Sequence, residues 1–229
     1  MNRSFDFYEF AGVLVPGAVL LIGLFWIFPH TELPLAGLDF SASDLAIFVF
    51  LAYATGHLVQ GVGNWIEVFW WEMSSGSPSR KILQGKTLDE FTYSRLLEAL
   101  RTDGFLDVNS STVPSSIATT ITREVYATVS ANGRSNRVDI FNGNYGLLRG
   151  LTAALTIIFF LTLFVAKDPA AISISAVLVV LSCQRMNRFS RHYATELFVQ
   201  YVNLQTRTLG EIAQAPQISA PVGDDGLRN

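Results

Sequence analysis

Eight residues between positions 52 and 67 could do chemistry inside a helix that is otherwise apolar. At about 100° per residue, Ala52, Gly63, Gly56, Glu67, Gln60, Tyr53, Asn64 and His57 fall within an arc of about 140°, while Leu51, Leu58, Val59, Val62 and Ile66 read as the opposite side. Polar groups are costly in hydrocarbon unless they meet protein or water, so the stripe is expected to point inward. Three uses fit these residue types. Tyr53, Gly56, His57, Gln60 and Asn64 would suit a pore lining or gate, with His57 and Gln60 as its deepest polar groups. The same residues would suit helix packing, since Ala52 and Gly56 form a small-xxx-small pair and Gln and His hydrogen-bond between helices. A ligand or proton site is the third use. The residue types alone leave all three open.

A second constellation is cationic. Arg123, Arg134 and Arg137 stand near the loop-forming Asn132, Gly133 and Asn136, and arginine forks suit the phosphates of a nucleotide or oligonucleotide. Plain anchoring at a membrane surface explains the same charges. Arg185, Arg188 and Arg191 read as contacts to anionic lipid headgroups. Enzyme signatures are missing: there is no HExxH, GxSxG, Walker A or GxGxxG pattern. His30, His57 and His192 read as an outer loop, a mid-span and an inner helix, so they share no metal. Cys183 is the single cysteine. The chain therefore reads as a non-enzyme that needs no cofactor.

The elements that must hold these groups follow from composition. The chain has 229 residues, 50% apolar and 15% charged, against about 25% charged in an ordinary soluble domain. This pattern excludes a disordered chain, and the net charge of −3 excludes a basic nucleic-acid binder. The apolar residues gather in four runs: Phe10 to Pro29, Leu45 to Val62, Leu147 to Ala166 (interrupted by Arg149) and Pro169 to Cys183. Each approaches the roughly 20 residues that cross a bilayer. Arg3 is accompanied by Asp6 and Glu9, and no A-x-A site follows the first run, so it reads as a span and not a cleaved signal. Pro16-Gly17 marks a kink or hinge within it.

With both termini inside, only Lys167 of the 16 Lys and Arg residues lies outside, a strong positive-inside asymmetry. Trp26, Trp65, Trp70 and Trp71 sit where aromatic belts lie. The expected layout is all-α: spans one and two in 1–72, a small helical cytoplasmic insert in 73–146, spans three and four in 147–184, a cytoplasmic amphipathic helix in 185–208 and a disordered tail in 209–229. Within the insert, Thr87-Leu88-Asp89-Glu90 reads as a capping box before Tyr93, Leu96, Leu97 and Leu100, with Gly104 past the end. A second helix fits Ser115 to Ala131, with Ile117, Ile121 and Val125 as its stripe. Ser74 to Pro78 reads as a loop, Ser41-x-x-Asp44 as the start of span two, and Asp168-Pro169 as the N-cap and N1 of span four.

Phe5-Asp6-Phe7-Tyr8-Glu9-Phe10 through Val15-Pro16-Gly17-Ala18, Tyr53-x-x-Gly56-His57-x-x-Gln60, and Asn187-Arg188-Phe189-x-Arg191-His192-Tyr193 resemble a group of small, uncharacterised bacterial four-span inner-membrane proteins. More loosely, the layout is similar to membrane effectors of bacterial antiviral defence systems. That resemblance implies an oligomer that senses a nucleotide signal or a partner and opens or disrupts the membrane. The expected function is a homo-oligomeric inner-membrane channel or membrane-disrupting effector gated from its cytoplasmic side. The alternative is a non-conducting anchor that recruits a cytoplasmic protein encoded nearby. A transporter ranks lower, because the two halves show no internal repeat.

Overall fold

The computed structural model describes residues 7–28, 42–107, 110 and 112–214; the side chains of 7–9 and 207–214 are not included. The first loop with Glu32 and Asp39, Ser41, His30 and the stretch after Gln214 lie outside the described residues. Seven α-helices and one π turn make up the regular structure, and no strand occurs among the described residues. They are α1 (Phe7–Ile27), α2 (Ala42–Met73), α3 (Pro78–Leu83), α4 (Glu90–Thr102), α5 (Ala118–Ala131), α6 (Asn136–Leu161), the π turn Thr162–Ala166, and α7 (Pro169–Gln214). Four of these, α1, α2, α6 with its π turn, and α7, are long and apolar enough to cross a membrane.

Helix ends do not coincide with the ends of the apolar runs. α2 continues beyond Val62 to Met73, and α6 starts at Asn136, well before Leu147. The separate insert therefore narrows from 73–146 to roughly the stretch between these two helix ends. Charges such as Glu67 and Arg149 end a hydrophobic run, but they leave the backbone ladder intact. Likewise α7 is one 46-residue helix from Pro169 to Gln214, which joins the fourth span and the amphipathic helix and enters the expected tail. Asp168 caps it, accepting from the Ala170 amide at 3.1 Å, and Pro169 occupies N1. Lys167 turns the chain with φ 54°, so α6 and α7 are antiparallel neighbours.

The insert helices pack around the second half of α7. Ile82, Leu83, Leu96, Leu100, Ile121, Val125 and Val129 meet Leu197, Phe198 and Tyr201 in one apolar core. α4 begins two residues later than a Thr87 cap would require, because Asp89 is the N-cap and accepts from the Thr92 amide at 2.9 Å. That bond holds the Asp89 carboxyl below its ordinary value. α5 starts at Ala118, so Ile117 stays 38% exposed, and its buried stripe is Ala118, Ile121, Val125 and Val129. α3 goes beyond the expected loop: Ser77 caps it, with Pro78 at its start.

Candidate functional site

α1 and α2 approach so closely that backbone meets backbone. A Cβ on Gly17 would strike the carbonyl oxygen of Ala52, and one on Gly56 would strike that of Val13. α6 crosses the same pair, where a Cβ on Gly150 would lie 2.6 Å from Gln60 Nε2. Glycines thus bring three helices within reach of a single glutamine.

Gln60 uses that position fully. Its Nε2 donates to the Gly12 carbonyl at 2.6 Å and to the Gly146 carbonyl at 3.1 Å. Its Oε1 accepts from Arg149 Nη2 at 3.2 Å. Arg149 Nη1 then meets Glu67 Oε2 at 2.8 Å, with both side chains about a quarter exposed (25% and 24%). The other Glu67 oxygen accepts from Trp71 Nε1 at 3.1 Å, and the guanidinium carbon lies 5.7 Å from the Tyr145 ring centroid. Gly63 leaves room for the Arg149 stem, since a Cβ there would come to 3.2 Å from Arg149 Cγ. The result is a charge-neutral clasp of α1, α2 and α6.

The clasp is not fully satisfied. Arg149 Nε and the Tyr145 hydroxyl are buried without a hydrogen-bond partner, and both residues border a cavity of about 380 Å³ that also touches His57, Gln60 and Asn142. Unpaired donors beside a polar cavity are where water or an acceptor-bearing ligand is stabilised.

The residues of the expected stripe divide between two faces. Ala52, Gly56 and Gly63 are buried and Gln60 is half-buried, whereas Tyr53, His57 and Asn64 are exposed. Val59, expected on the opposite side, is only 1% exposed. The buried face centres between Ala52, Gly56, Val59 and Gly63, so the polar residues form its outer edge. On that edge Tyr53 stands edge-on to His57 at 4.7 Å and stacks on Phe10 at 5.9 Å. Leu58, on the far side, is 75% exposed.

The three arginines of the cationic constellation sit on α5, on the link after it and on α6. Arg137 pairs with Glu196 at 3.6 Å, Arg134 lies in the turn after α5, and Arg123 lies near the start of α5, roughly 12 Å of helix before its end. His192 stacks on Phe141 at 5.6 Å, and no group of three metal-ligating side chains occurs among the described residues. Arg149, Tyr145 and Trp71 belong to the clasp, though the sequence marked Arg149 only as an interruption and Trp71 only as a belt residue. An arginine inside an apolar run is itself the signal that a buried acid must be sought. Compared with known protein families, curated proteins and solved structures, the chain matches none.

Proposed function

We propose that this is a multi-pass protein of the bacterial inner membrane, with both termini and the insert on the cytoplasmic side. In this reading it assembles from identical copies and opens or disrupts the bilayer along the outer edge of α2. The observation that carries the reading is that edge: His57 and Asn64 are exposed on a helix whose outward residues between them and around them include the apolar Phe50, Leu58, Trp65 and Phe69. Lipid offers such polar groups no partner, whereas a neighbouring copy or a water path between copies does. The glycine crossings and the clasp bring α1, α2 and α6 together around a cavity of about 380 Å³, so this reading puts the path at the surface between subunits. The positive-inside asymmetry supports the orientation. The resemblance to antiviral effectors supports a trigger, a nucleotide or a protein encoded nearby, that acts on the insert.

The test is ion flux from liposomes loaded with the purified protein. His57→Leu with Asn64→Leu should lower flux at least tenfold while the size-exclusion profile stays that of the wild type. A wild-type protein that forms oligomers yet conducts nothing overturns conduction and leaves a non-conducting anchor. The anchor reading has its own observation: the unbroken α7 carries the insert core on the same helix as the fourth span, as a platform for a cytoplasmic partner requires.

A further inference from the structure

Where α2 hands over to the insert, two arginines from different helices converge. Arg80 of α3 and Arg123 of α5 line one cleft of about 160 Å³ together with Ser77, Ser79, Thr119 and Thr122. Both guanidinium groups are exposed, and among the described residues neither forms an ion pair. Two like charges facing one cleft repel each other, and a shared counter-anion removes that cost. The hydroxyls are of the matching kind. Ser79 and Thr119 make no side-chain hydrogen bond among the described residues, and Ser77 Oγ, which accepts from the Arg80 amide at 3.4 Å, keeps its own hydrogen to donate. Thr122 is different: its hydroxyl already donates to the Ala118 carbonyl at 2.7 Å, so it shapes the wall.

Charge and access agree with this assignment. The cleft sits at the start of α5, a 14-residue helix whose cap, Ile117, provides no side-chain acceptor for the first-turn amides, so the positive end of the helix adds to the guanidinium field. It opens into a wider cleft of about 520 Å³ along Val68, Trp71 and Glu72. The acid, Glu72, borders only the wider part and not the inner cleft. That wider cleft runs along the last turns of α2 beside Trp71, where an aromatic belt and lipid headgroups would lie.

We infer that this cleft is a phosphate site, with Arg80 and Arg123 holding the oxyanion and Ser77, Ser79 and Thr119 donating to it. Its ligand is a terminal phosphate, carried either by a phospholipid headgroup or by a soluble phosphate compound. The inference does not depend on conduction.

Full-length protein in detergent is titrated with inorganic phosphate and, separately, with dihexanoyl phosphatidic acid, and binding is followed by calorimetry. Wild-type protein should bind at least one probe, and R80Q/R123Q should weaken that binding at least tenfold. K86Q, an exposed cation that does not line the cleft, should stay within twofold. Should the double variant fail to fold, R80Q and R123Q made singly give the same reading, each losing threefold or more. Phosphatidic acid binding at least tenfold tighter than phosphate identifies a lipid headgroup as the ligand; comparable affinities identify a soluble one. The site is overturned if neither probe binds the wild type, if the R80Q/R123Q variants bind as it does, or if K86Q weakens binding as much as they do.

Discussion

Around the second half of α7, Leu96, Leu100, Val125, Leu197 and Phe198 are packed to zero exposure, whereas on α2 and α6 the span side chains that reach 1% or less are Ala52, Val59, Thr152, Ala153 and Ala154. Large aliphatic and aromatic groups close the insert; alanines, glycines and one polar clasp close the span bundle. The difference is the one expected if, as proposed, the insert faces water and the four long helices face lipid. In water, burying a leucine or phenylalanine stabilises by about 1.5–3 kcal/mol, so the insert gathers such residues inside. Lipid tails are as apolar as leucine, so helices there associate through close backbone approach and interhelical hydrogen bonds. Their large residues accordingly point outward: Phe50 at 71%, Leu58 at 75% and Ile22 at 59% exposure.

That contrast can be broken from the span side first. Gly56→Leu places a branched side chain where even a methyl group meets the Val13 carbonyl. The largest expected effect is therefore loss of the assembled bundle, read as aggregation on size exclusion in detergent, while Leu58→Ala on the exposed face leaves the profile unchanged. A Gly56→Leu protein that assembles normally would show that α1 and α2 are not held by close approach.

The insert should respond to the opposite kind of change. Phe198→Ala removes a fully buried ring and should cost about 3–5 kcal/mol, lowering the midpoint of a denaturation series. Protease cleavage should then appear between α3 and α5, while the span helices stay protected.

The clasp gives the smallest effect and sharpens the comparison. Arg149→Leu strands the Glu67 carboxylate and should destabilise by about 3 kcal/mol, since both groups are only partly buried. Adding Glu67→Leu should recover more than half of that loss. No recovery in the double variant would mean that the stem of Arg149, not its charge, holds α6 against α2.

Much of this was legible in the residues, and the exceptions have physical causes. Uncharged runs reveal spans because crossing hydrocarbon forbids charge, yet they say little about helix ends, which is why α2 and α6 outrun theirs. Periodicity placed Gly56 and Gln60 on a contact face, but grouping small with polar residues merged two directions and misplaced Val59. A helix packs on its smallest residues, and Tyr53, His57 and Asn64 lie to one side of them. The pairing of Arg149 with Glu67, and of Arg80 with Arg123, joins residues distant in the chain, which no local pattern encodes. Ser77-Pro78 did carry the start signal of α3, although the helix is only six residues long with Pro78 included.

α7 gives the molecule a load path. Its 46 residues make a rod about 69 Å long, with no glycine or proline between Ala170 and Leu209. Near its first turns Ser175 and Thr162 share a hydrogen bond at 3.2 Å, and Phe198 and Tyr201 are set in the insert core. A tilt of about 5° at the span end therefore sweeps the far end by about 6 Å. Positive φ angles mark the turns at both ends of the insert, Ser75-Gly76 and Gly133, those inside it at Gly85 and Gly104, and the turn at Lys167 into α7. Torque applied to the insert is thus delivered along one shaft to the face of α6 and, through Arg149, to α2.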